Sequence, residues 1–208
     1  MIMDLFNEAF DATLNLLPYD GHVNYFVHIM SDAHADHCFD ELHRNIAWQH
    51  DQARIAGKRI TTDRKVAWYG DAAFAYTYSG TTKHAQPWTD TLLSLKQHVE
   101  RITHTSFNSC LLNLYANGQQ GMAWHSDDET SLGHNPCIAS LSLGAQRTFA
   151  FKHKTTAQTV AVELAHGSLL LMKGETQHHW LHRLPPRANI HQARINLTFR
   201  TIMNHQSP

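Results

Sequence analysis

The sequence predicts an α+β fold, mainly β, in which a jelly-roll sandwich is backed by helices from the first half of the chain. Two observations carry this prediction. From about residue 107 onward the chain breaks into short β-type runs: FNSCLLNLY, PCIASLSL, RTFAFKH, QTVAVEL, GSLLLMK and ARINLTFR. They are rich in β-branched, Leu and Phe residues and are separated by polar or Gly turns, the pattern of a sandwich or barrel. Two amphipathic segments precede them. Strand order cannot be read from periodicity alone.

The first amphipathic segment is a helix that Ser31 can cap. Its apolar stripe is Phe39, Leu42 and Ile46, with Asp32 and Asp36 near its start, where the helix dipole favours acids. A second helix is predicted to begin at Pro87, a residue suited to a first turn. Its stripe is Trp88, Leu92, Leu95, Val99 and Ile102, at spacings of 4, 3, 4 and 3, a helical repeat. Residues 44–65 follow neither period, and Gly57 among basic residues predicts a turn or hairpin tip. No repeat, low-complexity tract or Gly/Ser linker divides the 208 residues, so one domain is expected. Residues 1–65 are read as a helical, nucleic-acid-contacting extension and 66–203 as the jelly-roll core.

Hydrophobic residues at 42% and aromatics at 10% suffice for a core and exclude a chain disordered throughout. No apolar run approaches the roughly 20 residues needed to cross a bilayer as a helix. The opening MIMDLFNEAFDATLNLLPYDG is acidic where an export signal is basic. Cys38, Cys110 and Cys137 are widely spaced and form no CxxC pair, which speaks against a thiolate zinc site and for a reducing compartment. A cytoplasmic monomer is the expectation. Net charge is −1, yet the charges are segregated. Residues 1–43 hold eight acids and no Lys or Arg, whereas 44–65 hold six bases against Asp51 and Asp63. From 144 onward eight bases face Glu163 and Glu175. Such separation either builds a local positive field that the total conceals or is an uneven solvated surface.

The chemistry gathers in MAWHSDDE. On an extended segment His125 and Asp127 point to one face, bringing an imidazole and a carboxylate together. A second imidazole from a distant strand would complete a two-His-one-carboxylate triad, which leaves positions of an iron(II) ion open. TQHHWLHRLPP holds the candidates. If it is a strand, His178, Trp180 and His182 share one face and His179 the other, so periodicity leaves His178 and His182 both possible. In RINLTFR, Ile195, Leu197 and Phe199 alternate with Arg194, Asn196, Thr198 and Arg200. Two arginines on one face suit a dicarboxylate, since guanidinium grips carboxylate in bidentate fashion. A solvated outer face would give the same alternation. Asn113 and Tyr115, two apart in LLNLY, offer further polar groups.

Taken together, HSD at 125–127, the later histidine, RINLTFR at 194–200 and NLY at 113–115 resemble the AlkB family of Fe(II)- and 2-oxoglutarate-dependent dioxygenases. The likeness runs from about Val66 to Met203 and includes YGDAAFAYTYSG, the PW-led helix, IASLSLGAQRTFAFKHK, HGSLLLMKG and HWLHRLPP. It is strongest toward the branch repairing alkylated bases in duplex DNA, which shares YTxSG, DDE and the IAS-SLGA stretch.

The resemblance implies a double-stranded β-helix, Fe(II) as metal, and 2-oxoglutarate and O2 as cosubstrates. It implies His125, Asp127 and His182 as the metal ligands and catalytic centre. Asn113, Tyr115, Arg194, Asn196, Thr198 and Arg200 would hold 2-oxoglutarate. Tyr76 and Tyr78 would line a pocket for a flipped base, with Asp128 and Glu129 touching it. The implied reaction is oxidative demethylation of bases such as 1-methyladenine and 3-methylcytosine in DNA, releasing formaldehyde, succinate and CO2. The same chemistry on RNA or protein, or a non-catalytic nucleic-acid binding module, are the alternatives. In one respect the chain departs from that branch. Its duplex-active members use a bulky aromatic finger, and the matching stretch here is Ile55-Ala56-Gly57-Lys58. Ala56 is too small to wedge between base pairs, so single-stranded DNA is the expected preference.

Overall fold

The structure, a computed structural model, describes residues 14–55, 58–78 and 81–203, with side chains for all of these except 52–55, 58–60, 76–78 and 81–83. In chain order the elements are β1 (His22–Phe26), α1 (Asp32–Asn45), β2 (Gln49–Ile55), β3 (Lys58–Gly70), β4 (Ala75–Tyr78), β5 (Thr81–His84), α2 (Asp90–Thr103), β6 (Ser109–Tyr115) and β7 (Met122–His125). They continue with β8 (Ile138–Gly144), β9 (Arg147–His153), β10 (Thr159–Leu164), β11 (Ser168–Lys173), α3 (Thr176–His179), β12 (Trp180–Leu184) and β13 (Arg194–Arg200).

The six runs read from sequence all become strands. A seven-stranded sheet has the order β1-β11-β8-β13-β6-β3-β2, and a four-stranded sheet faces it in the order β10-β9-β12-β7. From β6 onward the chain passes repeatedly between the two sheets, which is the jelly roll. All pairings between these strands are antiparallel. β4 and β5 form a separate hairpin.

Two cores result. Ala35, Cys38 and Leu42 of α1, and Leu92, Leu95 and Val99 of α2, pack on Leu112, Leu141, Leu169, Ile195, Leu197 and Phe199 of the larger sheet. The second core lies between the sheets and joins Val23, Ile138, Leu170 and Met172 to Phe151, Leu164 and Trp180. Each fully buried Leu, Ile or Phe contributes about 1.5–3 kcal/mol by leaving water. The alternation in β13 therefore does not mark a solvated face. Its apolar residues face the helices, while Arg194, Asn196 and Thr198 are buried on the other side.

Three expectations are corrected. Helix α2 starts at Asp90, capped by the Thr89 hydroxyl, which accepts from Leu92 N. Pro87 and Trp88 precede it because Gln86 is held to β3: its N–H donates to Trp68 O and its carbonyl accepts from Gly70 N. Trp88 instead donates its indole N–H to Asp71 at 2.6 Å. Second, TQHH coils into the short α3, so β12 begins only at Trp180 and His178 is not on the strand. Third, a boundary at 65/66 falls inside β3, and β1 and β2 add strands to the larger sheet. The region before residue 66 is thus not purely helical. β2 and β3 pair with each other, but the turn predicted at Gly57 falls on Ala56 and Gly57, which lie outside the described residues. Among the described residues, no helix is long and apolar enough to cross a membrane.

Candidate metal and cosubstrate site

His125 ends β7 and His182 is the middle residue of β12, and the two are direct cross-strand partners. The register then slips, because Met122 pairs with Leu184. Three steps along β7 match two along β12, which defines a β-bulge. Both Met122 and His125 consequently line one cavity between the sheets. Trp124, within the bulge, meets Arg183 and Lys152, whose charged groups lie 4.5 and 5.0 Å from its ring centre.

The Nε2 atoms of His125 and His182 are 3.1 Å apart, and Asp127 Oδ1 is 3.7 Å from His125 Nε2. The ligand atoms of these three residues all lie within 4.8 Å of one another. Two nitrogens on adjacent positions of an ion, each at roughly 2.1 Å, would stand about 3 Å apart. The pair is therefore spaced as cis ligands are. A hydrogen bond holds His125 in the form that a metal requires, and His182 is uncharged. The Nδ1 of His125 is 2.9 Å from Ala123 O, and donation to that carbonyl leaves the Nε2 lone pair free. Burial pushes the pKa of His182 down to about 3, so it is a neutral imidazole. The Phe149 ring stacks on it, with centroids 5.4 Å apart. For Asp127, burial alone would raise the pKa, but the charge of Arg200 and the hydrogen bond from it outweigh this and hold the carboxylate below its ordinary value. Arg200 Nη2 donates to Asp127 Oδ2 at 2.6 Å.

On the neighbouring wall, Arg194 is 2% exposed. Its Nη2 donates to Ser142 Oγ at 2.9 Å and Asn196 Oδ1 at 2.8 Å. Ser140 also donates to Asn196 Oδ1, and Asn196 Nδ2 donates to Thr198 Oγ1, both at 2.8 Å. The Tyr115 ring lies 5.6 Å from the guanidinium carbon. No carboxylate of the described residues is within ion-pair distance of Arg194, and its Nε has no partner. Burial lowers its pKa to about 10, which still leaves it charged at neutral pH. A buried cation with only neutral partners is costly unless an anion joins it. Asn113 Oδ1 is also buried without a partner. The chemistry of this wall fits an acidic cosubstrate beside a metal.

The chain matches the profile of the 2OG-Fe(II) oxygenase superfamily over residues 22–200. It is 38% identical over 186 residues to the DNA oxidative demethylase ALKBH2 of Homo sapiens, covering 84% of this chain and 71% of that relative. The chain belongs to the AlkB family. Its Bos taurus relative, alpha-ketoglutarate-dependent dioxygenase alkB homolog 3, is 43% identical over 178 residues, or 81% of this chain and 62% of the relative. The chain thus spans about three fifths of the length of the alkB homolog 3 relatives. In fold it is like OsALKBH1, with a TM-score of 0.60 at 15% identity, covering 86% of this chain and 97% of that one. Fe(II), 2-oxoglutarate and O2 are the metal and cosubstrates of this oxygenase domain.

The AlkB cavity gathers eight of the nine residues read from sequence as metal or cosubstrate ligands. Asn113, Tyr115, His125, Asp127, His182, Arg194, Asn196 and Thr198 all line it. Arg200 is not part of the lining, and its guanidinium is engaged by Asp127. Asp128 and Glu129 are exposed on the loop that follows Asp127 and stay outside the cavity lining. Tyr76 and Tyr78 lie on β4 and Lys58 opens β3, all with backbone alone described, while Ala56 and Gly57 fall outside the described residues. Sequence reasoning missed Ser140, Ser142, Met122, Phe149 and Gln177. The serines had a signal, since they alternate with apolar residues in IASLSLG as the polar residues of RINLTFR do.

A second grouping, Asp20, His153 and His179, also has ligand-type atoms within 4.8 Å of one another. It is not suited to a metal. His153 Nδ1 accepts from Thr155 N and Thr156 N, at 3.3 and 3.1 Å, which leaves its proton on Nε2, facing Asp20 Oδ2 at 3.3 Å. An ion at Nε2 would have to displace that proton.

Proposed function

We propose that the protein is a DNA oxidative demethylase that restores N-alkylated bases of the 1-methyladenine and 3-methylcytosine type. The relatives named as DNA oxidative demethylases support this reading. The observation that carries it is the buried Arg194, a cation without a carboxylate partner beside a His-Asp-His set. When bound, iron(II) and 2-oxoglutarate supply the oxidation of a C–H bond by O2, with succinate and CO2 as products.

His125, Asp127 and His182 would hold the iron. Arg194 would take one carboxylate of 2-oxoglutarate, with Tyr115, Asn113, Asn196 and Thr198 around it. The network of Ser140, Ser142, Asn196 and Thr198 fixes the guanidinium before the cosubstrate arrives, so little ordering remains to be done on binding. Arg200 keeps Asp127 ionised and in place. Phe149, Met122 and Leu184 exclude water from the reacting centre. Asp128 and Glu129 put negative charge beside the His125 side of the cavity, which suits the positive charge of 1-methyladenine and 3-methylcytosine. Tyr76 and Tyr78 are assigned to the base pocket, Tyr78 stacking the extruded base against His125.

The substrate is single-stranded DNA in preference to duplex, since in sequence Ala56 matches the position of the family's aromatic wedge. Arg54, Lys58 and Arg59 of the β2–β3 hairpin hold phosphates, giving salt-sensitive binding. The protein works as a monomer in the cytoplasm, in keeping with three free thiols. The test is formaldehyde and succinate release from oligonucleotides carrying 1-methyladenine or 3-methylcytosine, as single-stranded DNA, duplex DNA and RNA, with a methylated peptide as control. Turnover with RNA or peptide above that with DNA would replace this assignment.

A further inference from the structure

Asp127 lies two residues beyond the end of β7, so no strand ladder fixes it. Its carboxylate is held by Arg200. Its backbone N–H is held differently, by donation to Gln177 Oε1 at 2.9 Å. Both residues are buried, at 4% and 2% exposure. An amide N–H in such a place needs a partner, because burial takes away the water that would otherwise accept from it.

Gln177 is itself tightly placed. It belongs to α3, the short turn that leads directly into the strand carrying His182. Its Nε2 donates to Met172 Sδ at 3.5 Å and its backbone carbonyl accepts from Lys154 Nζ at 2.9 Å. The turn is anchored in addition by Thr176, whose hydroxyl donates to Lys173 O at 2.6 Å and accepts from His22 N at 2.8 Å. One side chain therefore ties the loop that carries one candidate ligand to the element that carries another, without touching the cavity itself.

We infer that Gln177 is a positioning residue for the metal centre: its amide oxygen sets the backbone of Asp127 so that the carboxylate meets the two imidazoles. This rests on reading His125, Asp127 and His182 as the metal ligands. Residues that orient ligands from outside typically control metal affinity by about 10–100-fold.

The test is Mn(II) affinity, followed by loss of the free-ion EPR signal in the presence of 2-oxoglutarate and without turnover. Gln177→Met keeps the length and removes the acceptor, and should weaken Mn(II) binding by about 10–100-fold. Gln177→Glu keeps the acceptor and should bind far more tightly than Gln177→Met, while the metal-free melting temperatures of the two stay within a few degrees. Gln177→Met binding as wild type does, or Gln177→Glu binding as weakly as Gln177→Met, would overturn the inference. If Gln177→Met does not fold, Gln177→Asn, one methylene too short to reach, replaces it in the same contrast. Asp127→Ala separates the two levels: wild-type affinity there refutes the ligand assignment, whereas loss there with unchanged Gln177 variants refutes only the role of Gln177.

Discussion

His125 and His182 present their Nε2 atoms to each other at 3.1 Å across the β7–β12 pair. No more than one of the two can carry a proton on that nitrogen in the neutral state, and a metal removes the need for any.

The first expected outcome follows from that pair. Anaerobic Fe(II) with 2-oxoglutarate should give a weak visible charge-transfer band. His125→Ala, Asp127→Ala and His182→Ala should each abolish it, whereas His178→Ala and His179→Ala should leave it in place. A band lost in His178→Ala but kept in His182→Ala would reverse the choice of the third ligand.

The two arginines of β13 should part company. Arg194→Lys keeps a charge but loses the fork that a carboxylate needs, so the 2-oxoglutarate concentration for half-saturation should rise about 10-fold or more. Arg200→Lys disturbs Asp127 instead, so the metal requirement should rise more than the 2-oxoglutarate requirement. Titrating metal and cosubstrate separately in both variants checks this, and identical profiles would contradict it.

Strandedness tests the hairpin between β2 and β3. Turnover on a single-stranded lesion should exceed that on the duplex, and Ala56→Phe should narrow the gap by filling the space a flipped base leaves. Unstacking costs a few kcal/mol. Equal rates on both substrates at low and moderate salt would assign the wedge to another residue.

Acid should destabilise the metal-free protein early. His182 has its pKa lowered in the fold from 6.5 to about 3, so below pH 6.5 the unfolded chain takes up a proton that the folded chain refuses. The stability it contributes is present above 6.5 and is lost as pH falls toward 3. Chemical denaturation of metal-free protein at several pH values measures this, and His182→Gln should flatten the slope. An unchanged slope in that variant would assign the acid sensitivity to other groups.

Much of the site was legible because it is written in strands. In RINLTFR the period of two separated Arg194, Asn196 and Thr198 from the apolar residues correctly, and only the environment was ambiguous. A strand covered by helices on one face and by a second sheet on the other shows the same alternation as a half-solvated one. His182 could not be chosen over His178 by periodicity, since TQHH is a turn and the strand starts at Trp180. Gln177 was invisible for a different reason. Its role comes from a contact fifty positions away, with Asp127, and a lone Gln before a strand carries no local signal.

The placement of β13 ties the proposed cosubstrate anchor to the completion of the larger sheet. It is the last of the described strands in the chain, yet it sits inside the larger sheet between β8 and β6. Until it inserts, those two strands have no common neighbour, and neither Arg194 nor the Arg200 that steadies Asp127 is in place. His125 and His182 are brought together by the β7–β12 pair alone, whereas Arg194, the proposed anchor for the keto acid, comes from β13 in the other sheet. On the proposed assignment, binding of 2-oxoglutarate would therefore depend on the last described strand being in place, so the cosubstrate would report on completion of the larger sheet.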